Sequence, residues 1–313
     1  MAGRFLPAVE DVSFDVAPGE CLAIVGESGC GKTLLARALV NLPPQGARLS
    51  GSVRLAGREL TVLPDSAWRG VRGGEIGFVF QEPASAFDPV ATVGAQIVEA
   101  VRLHRGGPKG AARAAARALL FEVGFPDPDQ GLREYAHRLS GGLRQRAFLA
   151  MALAAGPKVL IADEPTAALD ATVAAQVMEL LERLRRDRGL TVLLITHDLG
   201  LVARHAERAL VLYAGRVAEE AATAEIFSTP RHPYTRGLLA SAPRVNAGQL
   251  PARGARFRAI PGAIPDLPDR LRGACAFAPR CAERFEPCDR EEPALFPVGG
   301  ASVRCFLYGP ASR

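Results

Sequence analysis

Short apolar runs alternate with longer segments of helical periodicity along most of the chain. Runs of this kind are typical of strands that are buried on both faces of a sheet. They occur at 21–25, 76–80, 160–162 and 192–195. Residues 33–40, after the first run, and residues 171–186, between the last two, repeat apolar positions with the period of a helix. This alternation predicts an α/β fold in which helices flank a parallel sheet.

Two further patterns predict an antiparallel β portion beside the parallel sheet. Apolar and polar residues alternate over 8–14, and Pro18-Gly19 then marks a turn, so we expect a strand ahead of the first buried run. Apolar residues at 209–212 and at 216–217 flank Ala214-Gly215, which predicts a terminal hairpin.

Composition changes twice along the chain. Residues from about 92 to 150 are rich in Ala and Arg and predict a group of helices. After about residue 228, prolines become frequent, and four of the six cysteines lie in this last part. We therefore expect a core with a helical subdomain, followed by a C-terminal extension that has little hydrophobic core of its own.

Charge and hydropathy narrow the class of protein. No run approaches the roughly 18 apolar residues that a membrane span needs, and the sequence after Met1 lacks an apolar leader. We expect a soluble cytoplasmic chain, or one held at a membrane by partners. The net charge of +5 is scattered, so nucleic-acid binding is not expected. Lysine occurs at only three positions, which makes Lys32 distinctive.

A glycine-rich loop follows the first buried run and precedes a helix. Its glycines let successive N–H groups point inward at β- and γ-phosphates, and the helix adds its positive dipole end. Lys32 would neutralise phosphate charge, and the Thr33 hydroxyl would bind Mg²⁺. A chance glycine-rich turn is the alternative, and the strand–loop–helix context argues against it. The loop consists of Gly26, Glu27, Ser28, Gly29, Cys30, Gly31, Lys32 and Thr33.

Cys30 has two interpretations. Thiol pKa values fall at the start of a helix, which predicts a reactive thiol that MgATP would protect from reagents. The alternative is a small residue that fills the loop.

Two carboxylates follow the apolar run at 160–162. Asp163 would hold Mg²⁺ through water, and Glu164 would reach the attacking water as a general base. A carboxylate pair that only caps a strand is the alternative. Together with the glycine-rich loop, this pair predicts nucleotide hydrolysis.

Leu139-Ser140-Gly141-Gly142-Leu143-Arg144-Gln145-Arg146 lies between the two halves of this site. Alone, it also fits a serine-capped helix that begins with glycines. With the other motifs, it resembles the signature of the ATP-binding cassette (ABC) ATPases, with Leu143 where glutamine is common. The resemblance implies that Ser140, Gly141, Gly142 and Gln145 close over ATP bound to a second subunit.

The same resemblance assigns further residues. Gln81 corresponds to a glutamine that contacts Mg²⁺ and the water, and Asp170 ends a segment similar to the family's D-loop. His197 corresponds to the histidine that contacts the γ-phosphate and orients the water. Relatives carry an aromatic residue that stacks on adenine, for which Phe5 is the best early candidate.

The resemblance implies an ABC ATPase domain over 1–232 and an extension over 233–313. Within the ATPase domain it implies a core at 1–82 and 152–232 and a helical signature subdomain at 83–151.

Several segments resemble the ATPase subunits of dipeptide, oligopeptide and nickel importers. They are Phe80-Gln81-Glu82-Pro83 with Phe87-Asp88-Pro89, His232-Pro233-Tyr234-Thr235-Arg236-Gly237-Leu238-Leu239, and Ile260-Pro261-Gly262-Ala263-Ile264-Pro265. The resemblance implies a second ATPase subunit, two membrane permease subunits and an extracytoplasmic solute-binding protein. It places the chain at the cytoplasmic face of the membrane, where it would energise uptake of short peptides. Import of nickel or another small solute is an alternative, and a soluble ABC ATPase that acts on nucleic acid or ribosomes is another.

Four cysteines mark the extension: Cys275, Cys281, Cys288 and Cys305. Thiols gathered in a cytosolic chain suggest a metal rather than disulfides. Intervals of five, six and sixteen residues are too loose for a zinc ribbon with paired Cys-x₂-Cys knuckles. Four cysteines can hold a [4Fe–4S] cluster, and this spacing resembles importer ATPases that carry one. Iron–sulfur, zinc and no metal remain the three interpretations.

Overall fold

The computed structural model describes residues 6–81, 86–167, 169–241, 259–270 and 273–309. The chain folds into two compact units. The terminal unit contains the described parts of 1–16, 21–35 and 196–313, and the central unit contains those of 17–20 and 36–195.

Most of the strands are short, and the strands of the two units differ in how they pair. In chain order they are β1 (Cys21–Val25), β2 (Arg54–Leu55), β3 (Arg58–Glu59), β4 (Ile76–Val79), β5 (Val159–Asp163), β6 (Thr191–Thr196), β7 (Arg208–Tyr213), β8 (Arg216–Ala222), β9 (Phe296–Val298) and β10 (Ala301–Val303).

The α-helices connect these strands. In chain order they are α1 (Lys32–Leu39), α2 (Asp65–Val71), α3 (Val93–Arg105), α4 (Lys109–Glu122), α5 (Pro128–Gly131), α6 (Gly141–Ala152), α7 (Ala171–Arg188), α8 (Leu199–His205), α9 (Thr223–Ser228) and α10 (Pro233–Ser241). Short 3₁₀ turns punctuate the extension at Leu267–Asp269, Ala278–Arg280, Glu286–Asp289 and Phe306–Tyr308.

The sheet of the terminal unit combines parallel and antiparallel pairing. Strand β1 lies parallel to β7, and β7, β8, β10 and β9 then follow as antiparallel neighbours. All five residues of β1 are buried, as its continuous apolar run predicts. The parallel pairing sets the position of the loop that leaves the end of β1.

Residues of the extension complete the core of this unit. Val25 and Val211 pack in one cluster with Tyr234, Phe277 and Val303. The rings of Tyr213, Tyr234 and Phe277 contact one another in tilted and edge-to-face arrangements, with centroids 4.6 to 5.5 Å apart. Because these aromatic rings bury large apolar areas, the extension contributes directly to the stability of the unit that holds β1.

A buried polar network anchors α10 to β8. The Glu219 carboxylate accepts the N–H groups of Arg231 and His232, each at 2.9 Å. His232 Nδ1 in turn accepts the N–H of Tyr234 at 3.0 Å. Burial lowers the pKa of His232 to about 3, so this histidine stays neutral and its Nδ1 remains an acceptor.

The central unit contains a three-stranded parallel group in the order β4, β5, β6. Four of its helices start at side-chain caps: Thr92 caps α3, Asp127 caps α5, Ser140 caps α6 and Asp170 caps α7. Phe78, Phe80, Phe148 and Phe87 form a chain of ring contacts that joins β4 to α6 and to the segment before α3. The predicted buried strands and the group of helices are therefore confirmed.

The strand predicted over 8–14 is wrong, because residues 6–20 form no regular strand. The N–H of Glu10 donates to the Gly215 carbonyl at 2.9 Å, but Asp11 has a φ of 51°. A residue in the left-handed region turns the backbone out of a ladder. Val12 and Phe14 are still more buried than their neighbours, so the alternation marks a packed face without strand pairing.

The hairpin predicted around Ala214-Gly215 is confirmed. Both residues have positive φ, 47° and 85°, as a tight hairpin turn of the primed type requires. The hairpin is not terminal, however, because β10 pairs with β8 through Ser302–Glu220 and Val303–Glu219. The extension thus continues the sheet of the terminal unit.

Across the parts of the chain that the structure describes, no helix combines the length and the apolar composition that crossing a membrane requires.

Candidate nucleotide site

The glycine-rich loop joins β1 to α1, in the predicted strand–loop–helix order. Gly29 and Gly31 have φ values of +81° and +111°, which favour glycine. Position 26 requires glycine for a different reason. A Cβ atom at Gly26 would lie 2.3 Å from the Leu212 carbonyl oxygen and 2.8 Å from the Cys30 sulfur. The loop therefore packs against β7 with no space for a side chain at its first residue.

The Lys32 ammonium lies inside the loop. It donates to the Gly26 carbonyl at 2.7 Å and to the Glu27 carbonyl at 3.1 Å, and only 7% of the residue is exposed. Loop carbonyls thus hold the ammonium within the loop. A phosphate placed there would meet backbone donors and a cation together.

Cys30 is fully buried, with 0% of the residue exposed, and burial raises the pKa of its thiol. The prediction of a reactive thiol is therefore wrong. A helix start lowers a thiol pKa only where the thiolate remains solvated, and desolvation outweighs that effect here. The alternative, a small residue that fills the loop, describes the structure. The Cys30 carbonyl accepts the N–H of Gly215 at 2.7 Å, which ties the loop to the hairpin turn.

Glu27 has contacts that the sequence did not suggest. Its N–H donates to the Tyr234 hydroxyl at 2.9 Å. Its carboxylate accepts two hydrogen bonds from Arg280, at 2.7 and 3.0 Å. Both partners, Tyr234 and Arg280, lie beyond residue 232. Tyr234 belongs to the segment 232–239 that resembles importer ATPases, and the sequence indicated no structural role for that segment.

Thr33 and His197 lie in the same unit as the loop. Thr33 is the second residue of α1 and is half-buried. His197 is exposed and directly follows β6, and the next residue, Asp198, caps α8 by accepting the N–H groups of Gly200 and Leu201.

Asp163 and Glu164 lie in the central unit. Asp163 ends β5 and is 1% exposed, and Glu164 is 9% exposed. Glu164 has a φ of 49°, and its N–H donates to the Ile195 carbonyl at 2.8 Å. A glutamate in the left-handed region is uncommon and costs about 1–3 kcal/mol, and such strain clusters at functional sites. Gln81 lies two residues beyond β4 and is exposed.

The signature segment begins α6. Ser140 is exposed, and its Oγ accepts the N–H of Leu143 at 3.4 Å. A Cβ at Gly142 would lie 2.5 Å from Val173 Cγ1, and one at Gly141 would lie 3.3 Å from Leu169. The glycines thus permit close packing of α6 on the start of α7, a structural role that the sequence did not indicate.

The polar residues that follow Ser140 are anchored within the central unit. Arg144 donates to the Ala136 carbonyl at 2.9 Å and to the Leu139 carbonyl at 3.1 Å. Gln145 is buried. Asp170 caps α7 by accepting the N–H groups of Thr172 and Val173, at 3.1 and 3.0 Å. These contacts fix the shape of the segment, and the predicted roles toward a second subunit stay predictions.

Three predicted positions lie outside the described residues: Phe5, the pair Glu82-Pro83, and Ala168 of the segment that leads to Asp170.

The four cysteines of the extension line one cavity together with His232, Phe277 and Phe285. Backbone N–H groups lie near three of the sulfurs and oppose the rise of their pKa values: Phe277 and Ala278 near Cys275, Glu283 near Cys281 and Leu307 near Cys305. Burial raises the pKa of Cys275 and of Cys305 to about 11. Within the described ranges, no group of three or more potential ligands is arranged to hold a single metal ion.

Comparison with known proteins places these features in a family. The ABC transporter family matches residues 9–167, and the oligopeptide/dipeptide transporter C-terminal region matches residues 218–288. A Brucella abortus (strain 2308) protein named as a peptide import ATP-binding protein is 47% identical over 306 residues, which cover 97% of this chain and 90% of that protein. The oligopeptide transport ATP-binding protein AppD of Bacillus subtilis (strain 168) is 43% identical over 306 residues, which cover 97% of this chain and 92% of that protein.

Solved structures agree. The dimeric post-hydrolysis state of the ATP-binding cassette MJ0796, bound to ADP and Pi, matches with a TM-score of 0.63 and 28% identity, over 71% of this chain and 94% of that chain. The fold is that of an ATP-binding cassette, and the family match makes the chain an ABC-type ATPase. The chain belongs to the ABC transporter ATPases, in the branch that carries the oligopeptide/dipeptide transporter C-terminal region. The family resemblance and the fold class expected from the sequence are confirmed.

The close packing at Gly26 generates a first prediction. The substitution Gly26→Ala places a Cβ 2.3 Å from a backbone oxygen, so the loop must shift. Overpacking strain of about 1–3 kcal/mol corresponds to roughly a tenfold loss of MgATP affinity, measurable by equilibrium titration. Gly70→Ala is the matched control, because a Cβ there meets nothing within 4 Å. Unchanged affinity in Gly26→Ala would contradict the tight packing of the loop.

Proposed function

We propose that this chain is the ATP-hydrolysing subunit of an importer that energises the uptake of short peptides. The observation that carries the proposal is that one chain matches both the ABC transporter family, over 9–167, and the oligopeptide/dipeptide transporter C-terminal region, over 218–288. The names of relatives that are 43% and 47% identical over 97% of the chain support peptides as the cargo.

MgATP is the substrate of the proposed reaction. The amides of the loop and Lys32 bind the β- and γ-phosphates. Thr33, Gln81 and Asp163 supply hydroxyl, amide and carboxylate oxygens, which are the donors that Mg²⁺ prefers, so the donor set fits the metal that accompanies ATP.

Glu164 is the general base. It accepts a proton from a water whose oxygen bonds to the γ-phosphorus, while the bond from that phosphorus to the β–γ bridging oxygen breaks and ADP and phosphate leave. His197 and Gln81 orient the water. The positive φ of Glu164 supports this role, because the strand end and the hydrogen bond to Ile195 fix where its side chain departs from β5.

A second ATPase subunit, identical or homologous, completes each site. Ser140 caps a twelve-residue helix that begins with Gly141 and Gly142. Ser140 is exposed and its Oγ accepts the N–H of Leu143, and the first turn of the helix offers further N–H groups to an anion. In the proposal, these residues and Gln145 close over ATP bound to the partner, with Asp170 at the same junction. The dimeric state reported for MJ0796 supports this arrangement.

Two permease subunits and an extracytoplasmic binding protein complete the importer, with this chain peripheral on the cytoplasmic face. Residues after Gln81 are the proposed docking region for a permease. Gln96 bonds both to the Asp88 backbone and to the Ala91 carbonyl, which orders the turn, and Val90 is 81% exposed at its tip. An apolar tip on an ordered turn suits contact with another protein.

Co-purification tests the proposed function. Mass spectrometry of the tagged chain, recovered from gently solubilised membranes, is expected to find two multi-span permease subunits and an ATPase partner. Recovery only in the soluble fraction, with nucleic acid or ribosomes attached, would replace the importer with the alternative function. ATP hydrolysis is expected with either outcome. The experiment therefore tests the role in transport separately from the hydrolysis reaction.

The substitution Glu164→Gln tests the general base. The amide cannot accept the proton of the attacking water, so we expect turnover to fall by roughly 10²–10⁴-fold while ATP stays bound. Steady-state phosphate release and retained ATP after gel filtration measure the two effects. Glu179→Gln, on the exposed face of α7, is the control. Undiminished hydrolysis in Glu164→Gln would refute the assignment.

We further propose that Cys275, Cys281, Cys288 and Cys305 hold a [4Fe–4S] cluster. Their common cavity and the backbone N–H groups near three of the sulfurs support it, since hydrogen bonds to the sulfurs tune such clusters. When bound, the cluster would pin the proline-rich extension.

Anaerobic purification tests the cluster. We expect close to four iron atoms and four acid-labile sulfides per chain, and their loss together in Cys288→Ser. The serine variant of Cys21, a buried cysteine in β1, is the control that keeps the metal content. Iron-free protein that contains bound zinc, or no metal at all, would favour one of the alternatives.

A further inference from the structure

Arg280 reaches the phosphate-binding loop from the extension. Its guanidinium forms a bidentate pair with Glu27, with Nη1–Oε2 and Nη2–Oε1 distances of 2.7 and 3.0 Å. Only 5% of the Arg280 side chain is exposed. Parallel, charge-assisted hydrogen bonds of this type fix both distance and orientation. The two residues are 253 positions apart in the sequence.

The extension, and not the loop, determines where this guanidinium lies. Arg280 Nε donates to the Pro261 carbonyl at 2.8 Å, and Nη2 also approaches the carbonyls of Ile260 and Gly262 at 3.4 and 3.3 Å. The guanidinium stacks over the Tyr213 ring, 5.8 Å from its centroid. The importer-like segment at 260–265 therefore presents the arginine to Glu27 in a preset orientation.

Tyr234 holds the backbone of the same residue. Its hydroxyl accepts the Glu27 N–H at 2.9 Å, while its ring packs against Tyr213 and Phe277. Glu27 is thus held at its amide by α10 and at its carboxylate by the 3₁₀ turn Ala278–Arg280. The second importer-like segment, 232–239, supplies the tyrosine.

A second arginine of the extension holds the other end of the loop. Arg270 Nη1 donates to the carbonyls of Ala8 and Ala214, at 2.9 and 2.8 Å. Gly215, next to Ala214, donates its N–H to the Cys30 carbonyl at 2.7 Å. A Cβ at Gly31 would lie 3.0 Å from Val9 and 3.5 Å from the Ala8 oxygen. The extension therefore braces the loop at its two ends.

The negative charge of Glu27 makes its contacts with the extension important for nucleotide binding. Glu27 is the acidic residue of the sequence Gly26 to Thr33, which otherwise presents amides and one ammonium to phosphate. An unpaired carboxylate in this loop would repel a triphosphate that carries several negative charges. Arg280 neutralises that carboxylate and keeps it directed toward the extension.

We propose that Arg280 is a positioning residue for ATP, through which the folded extension acts as a clamp that neutralises Glu27 and sets the shape of the phosphate-binding loop. The inference rests on the proposed binding of MgATP by residues 26–33. It is independent of the cargo. ATP affinity thereby depends on the C-terminal extension.

A charge cycle on the full chain tests the clamp. The probes are the magnesium complexes of ADP and of a non-hydrolysable ATP analogue, and the measured quantity is the dissociation constant of each. Arg280→Gln leaves Glu27 unpaired, so we expect its dissociation constant for the ATP analogue to rise about fivefold or more, a typical coupling between sites. The rise for ADP is smaller, because ADP carries less charge.

The double variant separates charge from folding. In Glu27→Gln with Arg280→Gln, the repelling carboxylate is gone, so the analogue binds at least about threefold more tightly than to Arg280→Gln alone, within the usual range of pair couplings. The deficit of Arg280→Gln shrinks as ionic strength rises, because salt screens the repulsion. Arg280→Lys keeps the charge without the bidentate geometry and recovers part of the affinity.

Arg231→Gln is the matched control, because Arg231 pairs with Glu225 in the same unit and has no contact with the loop. We expect its dissociation constants to match those of the wild type. Equal affinity in Arg280→Gln and wild type would overturn the clamp. Equal weakening in the single and double variants, insensitive to salt, would also overturn it in favour of a purely structural arginine. A wild-type chain that binds neither nucleotide would instead contradict the nucleotide site itself.

Discussion

The rest of the terminal unit depends on the close packing of the glycine-rich loop, which neighbouring backbone atoms and charged side chains surround. Gly26 lies against the Leu212 carbonyl with no room for a methyl group, and Lys32 is held by the carbonyls of Gly26 and Glu27. Such a loop is useful for binding phosphate only if its surroundings are rigid, because a preorganised set of donors needs no rearrangement when the ligand arrives. Strands β1 and β7 supply one wall, and the Arg280–Glu27 pair supplies another.

This constraint explains why the extension is part of the terminal unit. Strand β10 continues its sheet, Phe277 and Val303 complete its core, and Tyr234 bonds to the loop. The central unit carries the carboxylates and the signature segment, and its own strain is concentrated at Glu164. The terminal unit therefore carries a braced glycine-rich loop, and the central unit carries a strained strand end.

The sequence predicted those features that local patterns encode. Continuous apolar runs identified β1, β5 and β6, and the glycine-rich loop was found with its helix. The strand expected over 8–14 failed because burial alternates there without a ladder, since Asp11 breaks the extended backbone. The sequence left two interpretations of Cys30 open, because a motif shows a helix start but not the burial that excludes the reactive thiol. The Arg280–Glu27 pair and the positive φ of Glu164 arise from tertiary packing, which no local pattern reports.

Native-state hydrogen exchange tests the central claim, that the loop and the extension form one cooperative unit, most directly. The amides of Glu27, Cys275 and Arg304 donate to Tyr234, Cys288 and Ala218 respectively. If the account is right, these three amides exchange through one opening, with the same free energy as the amides of β1. If Cys275 and Arg304 exchange readily while β1 and β7 stay protected, the extension opens on its own and the account is contradicted.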